Sequence, residues 1–130
     1  MSDLYKSGAV ATSGMQAQAN RLRHISENIA NTDTPGYRRK EVSFQAVVQN
    51  GRETGQVETG PVALDRRELP RIFDPGHPMA DAGGYYDGSN VDLVVELADA
   101  REAQRSYEAN LKMFDQTRKM SQSLLELLRR

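Results

Sequence analysis

The sequence has no cysteine and no tryptophan, and only 3 of its 130 residues are phenylalanine. The lack of cysteine excludes disulfide bonds, thiol catalysis and zinc sites built from thiolates. No apolar run approaches the roughly 20 residues of a membrane-spanning helix. The chain starts with MSDLYKS, which lacks the apolar core of a cleaved secretory signal. We therefore expect it to remain in the cytosol or to leave by a route that needs no cleaved signal.

The net charge of the chain is close to zero, and its content of apolar residues is low. The formal net charge at pH 7 is -1, so electrostatics give no reason to expect nucleic acid or an anionic membrane as a partner. Hydrophobic residues make up 38% of the chain, below the roughly 45–50% of typical globular domains on a count that also includes glycine. The length corresponds to about one domain. A chain this polar is expected to bury its apolar stripes partly against other chains.

A first helix is predicted over residues 7–30. Apolar residues recur there at steps of three and four, as in an amphipathic helix or coiled-coil strand, at Ala11, Met15, Leu22, Ile25 and Ile29. Asn31 is expected to end this helix in a left-handed conformation. Pro35 disfavours helical backbone at Thr34, and Pro35-Gly36 fits the centre of a type II turn because glycine tolerates a positive φ. The segment therefore predicts a helix, a sharp corner and an extended continuation.

Glycine and proline punctuate residues 42–89, with short candidate strands between them. The candidate strands cover residues 42–48, 56–64 and 69–73. Asn50-Gly51 is a hairpin turn signal. The result is a β-rich module of fewer than about 50 residues, a size at which a core alone is marginal. The flanking helices are its expected support.

The longest periodic element is a second helix predicted over residues 91–128, with Ser89 or Asn90 as its N-terminal cap. It contains no glycine or proline and would extend roughly 55 Å, more than a compact domain of this size needs. Its main apolar stripe consists of Leu97, Ala100, Tyr107, Leu111, Phe114, Leu125 and Leu128. The residues that widen this stripe are Met113, Met120, Leu124 and Leu127.

These elements predict a mainly α fold with a small β module. The long N- and C-terminal helices are expected to pair as a coiled-coil-like unit and to contact helices of neighbouring chains, with the β-rich insertion between them. The predicted parts are an N-terminal helix and turn in residues 1–41, the β-rich module in 42–89 and the C-terminal helix in 90–130. Such helices are marginal alone in water, so folding is expected to be coupled to assembly.

One cluster has the residue types of a metal site. Asp74, His77 and Asp81 are three and four residues apart, but they lie in a loop rich in proline and glycine rather than on one helix face. Asp before Pro, and Pro-Gly, favour turns, so a turn is preferred over the site of a metal-dependent hydrolase. The sequence offers no plausible pairing of a nucleophile with a base. We therefore expect no catalytic residues, no cofactor, no metal and no enzyme.

The predicted corner carries a motif of the form Asn-x-Ala-Asn-x-x-Thr-x-Gly-Tyr, from Asn28 to Tyr37. A second signature reads NVDLVVEL over residues 90–97 and continues with AQRSYEAN over 103–110. The loop DPGHPMADAGGY, residues 74–85, precedes it. In these segments the chain resembles the bacterial flagellar axial proteins, and among them the basal-body rod subunits. The resemblance covers nearly the whole chain, although the middle strands match weakly.

The resemblance implies a structural subunit of the proximal rod that is required for motility. Such subunits pass unfolded through the flagellar type III export apparatus with an uncleaved N-terminal signal. Their terminal helices polymerise into a drive shaft around the export channel, in a rod that spans the periplasm. The implied partners are further copies of the chain, rod subunits of the FlgB, FlgF and FlgG types, the rod-base protein FliE and the export apparatus. Neither nucleic acid nor a small-molecule substrate is implied.

Two alternatives remain open from the sequence. One is a soluble helical adaptor or chaperone that binds a partner's helix, and the other is the FlgB type of proximal-rod subunit. The loop and the second signature favour the other short proximal-rod type over FlgB. The predicted subunit contacts lie on the helical stripes and at the corner. They are Met15, Leu22, Ile25, Asn28, Ile29, Asn31, Thr34, Pro35, Gly36, Tyr37, Arg38, Arg39, Asn90, Val91, Leu97, Tyr107, Asn110, Leu111, Phe114 and Leu125.

Overall fold

The computed structural model describes residues 2–129. Two long helices, α1 (Ser2–Ala30) and α2 (Leu93–Leu128), pack against each other, and short strands lie between them in the chain. The pairing is antiparallel, because Gly8 lies beside Thr117 at one end and Asn28 contacts Glu96 at the other. This confirms the predicted fold class, a mainly α chain with a small β insertion.

The strands form three separate two-stranded antiparallel sheets. In chain order they are β1 (Lys40–Glu41), β2 (Phe44–Gln49), β3 (Arg52–Thr59), β4 (Ala63–Leu64), β5 (Arg71–Phe73) and β6 (Tyr85–Asp87). β1 pairs with β4, β2 with β3, and β5 with β6. The single strand predicted over residues 56–64 is wrong: Gly60 and Pro61 separate β3 from β4, because proline has no N–H for a ladder. β6 has no counterpart among the predicted strands.

The β2–β3 hairpin is the part of the β module that packs on α1. Its turn residues Asn50 and Gly51 both have positive φ, 52° and 77°, which confirms the predicted hairpin turn. The backbone N–H of Val57 in β3 donates to Ser13 Oγ in α1 at 3.1 Å. Asn20 Nδ2 also donates to Thr59 Oγ1 at 3.3 Å. The hairpin is therefore held along the first helix, as the expectation of support by the helices requires.

The core between the helices is built from small side chains. The buried apolar residues are Ala11, Ala17, Ile25 and Ala103. A Cβ placed on Gly14 would lie 2.8 Å from the side chain of Asn110, so glycine is needed where the two backbones approach. Small residues allow close helix packing but offer few large side chains that interlock.

The start of α1 differs from the prediction, and the start of α2 lies two residues after the predicted one. α1 begins at Ser2 rather than near residue 7, because the glycines in its first half lie in or beside the contact with α2 and packing offsets their low helix propensity. α2 begins at Leu93 with Asp92 as its N-cap, and the Asp92 side chain accepts from the Val94 N–H. Asp92 is the nearest capping side chain to the helix, and Ser89 and Asn90 form other hydrogen bonds.

Asn31 ends α1 differently from the prediction. Among the non-glycine residues of the described chain, only Asn50 has a positive φ, so Asn31 is not left-handed. Its N–H donates to the carbonyls of Glu27 and Asn28, which continues the helical pattern, and its Nδ2 also donates to the Glu27 carbonyl at 2.8 Å. In the described part of the chain, no helix combines the length and hydrophobicity that crossing a membrane would require.

Candidate functional site

The corner predicted after α1 is present. The backbone N–H of Tyr37 donates to the Thr34 carbonyl at 3.2 Å, which closes a four-residue turn with Pro35 and Gly36 at its centre. Gly36 has φ 74°, as the third residue of a type II turn requires. In the described structure, no atom other than those of its chain neighbours lies within 4 Å of the position that a Cβ would take at Gly36. Backbone conformation, and not crowding, therefore favours glycine here.

Asn28, the first residue of the motif, is 1% exposed, and its side-chain amide has a partner for each donor and acceptor. Its Nδ2 donates to the Lys40 carbonyl at 3.0 Å and to Glu96 Oε2 at 3.4 Å. Its Oδ1 accepts from the Lys40 backbone N–H at 2.9 Å and from the Tyr37 hydroxyl at 2.8 Å. These bonds hold the segment after the corner against α1.

Arg39 connects this segment to α2. Its Nε donates to Glu96 Oε1, its Nη2 to Asp99 Oδ2 at 3.0 Å and its Nη1 to Glu41 Oε1 at 2.6 Å. Glu96 has no exposed surface, whereas 17% of the Arg39 side chain is exposed. Burial acts to lower the pKa of Arg39, but the hydrogen bond to Glu96 and the charges of the three carboxylates raise that pKa above its ordinary value. The guanidinium therefore stays charged.

The linker before α2 completes the arrangement. Asn90 Oδ1 accepts from the Arg39 backbone N–H at 2.6 Å. Asn90 Nδ2 donates to the carbonyls of Asp65 at 3.0 Å and Arg67 at 3.3 Å. The side chains that join the corner to the start of α2 are referred to below as the polar junction. They are Asn28, Arg39, Asn90 and Glu96.

Two further bonds tie the corner itself to the linker. The Ser89 hydroxyl donates to the Thr32 carbonyl, and the Gly36 backbone N–H donates to the Asp87 carbonyl at 3.0 Å. In each bond the donor and the acceptor are more than 50 residues apart in the sequence. The corner therefore cannot swing without breaking contacts to the residues that lead into α2.

Acidic residues around the junction are paired with bases. Asp65 is 8% exposed, and its carboxylate accepts from the backbone N–H and Nε of Arg67, each at 2.9 Å. The Arg67 N–H bond lowers the pKa of Asp65 below its ordinary value. Lys40 Nζ donates to Glu27 Oε2 at 2.6 Å, and this bond lowers the pKa of Glu27. The Lys40–Glu27 pair is partly exposed and adds little to stability.

A second candidate surface lies along α2. Its members are the leucine and methionine side chains from Leu97 onward that are at least 40% exposed, and we call them the apolar surface of α2. They are Leu97, Leu111, Met113, Met120, Leu124, Leu125, Leu127 and Leu128. The most exposed leucines of this surface are Leu127 and Leu128, at 64% and 77%. Exposed apolar side chains that recur along one element mark an interaction site.

The predicted contact residues separate into inner and outer groups. Ile25, Asn28 and Asn90 are buried within the chain. Half-buried positions are Met15, Leu22, Ile29, Asn31, Pro35, Tyr37, Arg38, Arg39, Val91, Tyr107, Asn110 and Phe114. Exposed positions are Thr34, Gly36, Leu97, Leu111 and Leu125. Only the outer group has much surface free for another chain, and contact with a second subunit stays a prediction for all of them.

Glu96 is the main residue that the sequence-based set lacks. It lies seven residues before Ala103, which in turn lies seven before Asn110, so all three occupy one face of α2. That face packs on α1, because both Glu96 and Ala103 have no exposed surface and Asn110 lies against Gly14. An acidic residue in step with small residues is a signal that could have identified the face.

Two residues of the cluster that has the residue types of a metal site, Asp81 and His77, are engaged in other interactions. Asp81 Oδ1 accepts from the backbone N–H groups of Gly83 and Tyr85 at 2.9 and 3.0 Å, and its Oδ2 accepts from Arg71 at 2.6 Å. The Tyr85 N–H and Arg71 lower the pKa of Asp81. The His77 ring stacks on Tyr86 with centroids 3.9 Å apart. These contacts shape the loop between β5 and β6.

Comparison with known proteins identifies both ends of the chain. A family model described as flagella basal body rod protein matches residues 9–38. A second, described as flagellar basal body rod FlgEFG protein C-terminal, matches residues 82–127. The first segment contains Asn28, and the second contains Asn90 and Glu96. The two matched segments are thus joined in space by the polar junction.

Relatives named flagellar basal-body rod protein FlgC align over nearly the whole chain. The one from Agrobacterium fabrum is 40% identical, and the alignment covers 99% of this chain and 98% of the relative. The one from Yersinia enterocolitica is 36% identical over 91% of this chain and 92% of the relative. The one from Aquifex aeolicus is 34% identical over 97% and 98%. FlgC is the short rod type that the loop and second signature favour over FlgB.

Proposed function

Because this chain belongs to the FlgC family of flagellar basal-body rod proteins and is a structural subunit of that rod, we propose that the apolar surface of α2 carries its contacts with neighbouring subunits. The polar junction holds α1, the corner and α2 in one fixed arrangement. The chain lies in the flagellar basal body and associates with other rod components there.

The observation that supports this proposal is the exposure of the last turns of α2. Leu124, Leu125, Leu127 and Leu128 are 40–77% exposed in the single chain. Burying a leucine side chain contributes about 1.5–3 kcal/mol, so a neighbour that covers all four gains a substantial free energy. The junction, by contrast, has its hydrogen bonds satisfied within the chain. The open apolar surface is therefore the part that needs a partner.

The exposed apolar surface of α2 also suggests how the subunits assemble. Contacts between different faces of identical or related subunits generate open helical structures. We propose that the terminal helices form the inner layer of the rod around the export channel. In this proposal residues 1–41 supply a helix and a turn, residues 42–89 the β module and residues 90–130 the second helix. The β module then lies outside the helices, where its three small sheets reach adjacent subunits.

The individual partner proteins and the route by which the chain reaches the rod are also proposed. Rod subunits of the FlgB, FlgF and FlgG types, the rod-base protein FliE and the type III export apparatus are the expected partners. We propose that the chain passes through that apparatus unfolded, without cleavage, into a rod that spans the periplasm. Support comes from the long helices, which depend on packing for their stability. The role is structural and assigns no catalysis to any residue.

The experiment is a set of substitutions on the last turns of α2. Leu124, Leu125, Leu127 and Leu128 are changed together to serine in a strain that carries no other copy of the gene. The purified variant is expected to melt as the original chain does, because these side chains lie outside the helix contact. Basal bodies isolated from the strain should lack the subunit, and the cells should not swim.

A matched control changes three exposed polar residues of the same helix. Gln116 and Glu126 are changed to serine, and Ser123 is changed to alanine. That strain should swim normally. Normal motility with the four leucines replaced would overturn the proposal. A stable subunit that stays in the cytosol of the original strain would instead support the adaptor alternative.

A further inference from the structure

The contact between α1 and α2 has few features that fix one helix along the other. Its buried apolar residues are mostly alanines, and Gly14 leaves space at the closest approach. Helices that meet through small residues can slide by a turn with little change in apolar contact. Asn110 sits over Gly14, but its Nδ2 donates to the Ser106 carbonyl of its own helix at 3.0 Å. Within residues 2–129, no hydrogen bond joins the Asn110 side chain to α1.

Two features discriminate between positions of the helices. Arg21 of α1 pairs with Asp99 at 3.7 Å and with Glu102 at 3.4 Å, but these pairs are partly exposed and contribute little. Glu96 is the buried feature. Its Oε1 accepts from Arg39 Nε, and its Oε2 accepts from Asn28 Nδ2 at 3.4 Å. Both donors are themselves held, Asn28 within α1 and Arg39 by the bond from its backbone N–H to Asn90. A slip of one helical turn, about 5.4 Å, would carry a side chain with no exposed surface away from both donors.

We propose that Glu96 sets the register of α2 against α1, and that specificity of register rather than stability is its contribution. A buried polar group that finds its partners in one register only is a known way of selecting that register. The consequence is that the apolar surface of α2 stands at one fixed height relative to the corner. This inference concerns the single chain and holds whether or not that surface forms the rod contact.

Removing the Glu96 carboxylate should leave the chain folded. Arg39 keeps Glu41 at 2.6 Å and Asp99 at 3.0 Å, so its charge is not left without a partner. Asn28 keeps its bonds to Lys40 and Tyr37. Asp99 already binds Arg39 Nη2, and a shift of α2 by one turn would bring it to the place of the Glu96 carboxylate beside Nε, with loss of its 3.7 Å pairing with Arg21. The expected slip therefore has a direction.

The test uses the absence of native cysteine, which makes introduced thiols the only ones in the chain. Gly8 lies beside Thr117, and a Cβ at Gly8 would be 3.9 Å from Thr117 Cγ2. Gly8→Cys with Thr117→Cys reports the native register, and Gly8→Cys with Ser121→Cys reports the slip toward Asp99. Gly8→Cys with Met113→Cys reports a slip in the opposite direction. Disulfide yield after mild oxidation of the full chain is measured for each pair.

In the original background, the Thr117 pair should exceed the Ser121 pair by about tenfold or more, the ratio that a preference of 1.4 kcal/mol produces. In Glu96→Leu this ratio should fall by about tenfold, with gain at Ser121 and none at Met113. The melting temperature should stay within about 5 °C of the original. Glu96→Gln keeps the shape and one acceptor oxygen but turns its NH2 donor toward the second donor, so the ratio should fall by less than in Glu96→Leu.

Glu102→Leu is the matched control, because Glu102 lies on the same helix and is exposed, with Arg21 as its partner at 3.4 Å. It should leave the ratio unchanged. An unchanged ratio in Glu96→Leu would overturn the proposal. A ratio that falls equally in Glu102→Leu would overturn it as well, because the register would then not depend specifically on Glu96. Loss of a cooperative melt in Glu96→Leu would also overturn it, because Glu96 would then contribute to stability. Motility plays no part in these readouts.

Discussion

The two ends of the helix pair differ in how their surfaces are satisfied. At one end, Asn28, Arg39, Asn90 and Glu96 bind one another and the backbone, and the most buried of them have almost no exposed surface. At the other end, Leu4 and Gly8 of α1 and Phe114 and Thr117 of α2 line a groove of about 510 Å³. Beyond that groove the leucines of α2 are open to solvent.

This difference separates the residues that fix the conformation of the single chain from those that attach it to a neighbouring subunit. The end that contains the family motif is closed on itself, so the motif acts inside the chain and sets the angle between helix, corner and β module. The end without a motif has the exposed apolar surface and is the part that requires a neighbour. Substitutions at the first end are therefore expected to change the stability or the helix register of the single chain, and substitutions at the second to change assembly.

Replacing Asn28 by alanine is expected to give the largest loss of stability. The change removes four hydrogen bonds and leaves the Lys40 backbone groups without their partner in a buried site. An unsatisfied buried group costs about 1–3 kcal/mol, so we expect a decrease of about 3 kcal/mol in the free energy of unfolding, measured with urea. A decrease below about 1 kcal/mol would show that the junction is not what closes this end.

The matched control is Asn20→Ala, also on α1. Its Nδ2 makes one hydrogen bond, to Thr59 Oγ1 at 3.3 Å, and the residue is half-buried. We expect a loss of less than about 1 kcal/mol, because a single bond of this length contributes little. The difference between the two asparagines measures the junction directly.

Replacing Gly36 by valine should have an intermediate effect. The position has space for a side chain, but its φ of 74° is unfavourable for a residue with a Cβ and most unfavourable for a β-branched one. We expect a loss of about 1–2 kcal/mol, with the β2–β3 hairpin still folded and rod assembly impaired because the corner changes its angle. Gly36→Asn should recover most of the loss, since asparagine tolerates this conformation.

Gly76→Val provides the control for the corner. Gly76 is exposed in the loop between β5 and β6, and its φ is not positive. Urea unfolding and a motility assay of both variants compare the two glycines. If Gly36→Val left stability and motility as Gly76→Val does, the corner would not set the geometry of assembly.

The smallest expected effect is a dependence of stability on acid. The folded-state pKa values of Glu27, Asp65 and Asp81 are lowered, so the unfolded chain binds protons first as the pH falls. Their stabilisation is complete above the unfolded pKa of about 4 and is lost as the pH falls through the folded values. The melting temperature should therefore decrease between about pH 5 and pH 3.

Asp65→Asn tests the part of this effect that belongs to the junction end. It removes the carboxylate that Arg67 holds, so the melting temperature of the variant should be lower at neutral pH and fall less in acid. Asp33→Asn is the control, since Asp33 is exposed and forms no ion pair in the described structure. Equal acid sensitivity in the original chain and in Asp65→Asn would contradict the assignment.

Periodicity in the sequence was sufficient to predict two long helices, because steps of three and four recur through both ends. The turn at Pro35-Gly36 and the hairpin at Asn50-Gly51 followed from residues whose backbone preferences are strong. The division of β3 from β4 and the cap at Asp92 depend on local competition, which spacing does not resolve. The sequence also gave no indication that Asn28 and Asn90 would share one junction across 62 positions.

The role of the leucines was harder to predict than their presence. A stripe of apolar residues can face the partner helix of the same chain or a different chain. Here glycine and alanine positions of α1 and α2 take part in the internal contact, and the Asn110 side chain fills the space over Gly14. Phe114 lies against Gly8, whereas most leucines and methionines of α2 stay exposed, and only the packed structure reveals which apolar residues face which side.

The most direct test of this separation is the accessibility of single cysteines in the free chain and in isolated basal bodies. Leu125→Cys should react quickly with a maleimide in the free chain, and its rate should fall by about tenfold or more in basal bodies, where a neighbour covers it. Ala11→Cys, at a position 4% exposed, should be protected in both. Equal reactivity of Leu125→Cys in the two states would contradict the claim that the end of α2 attaches the subunit to the rod.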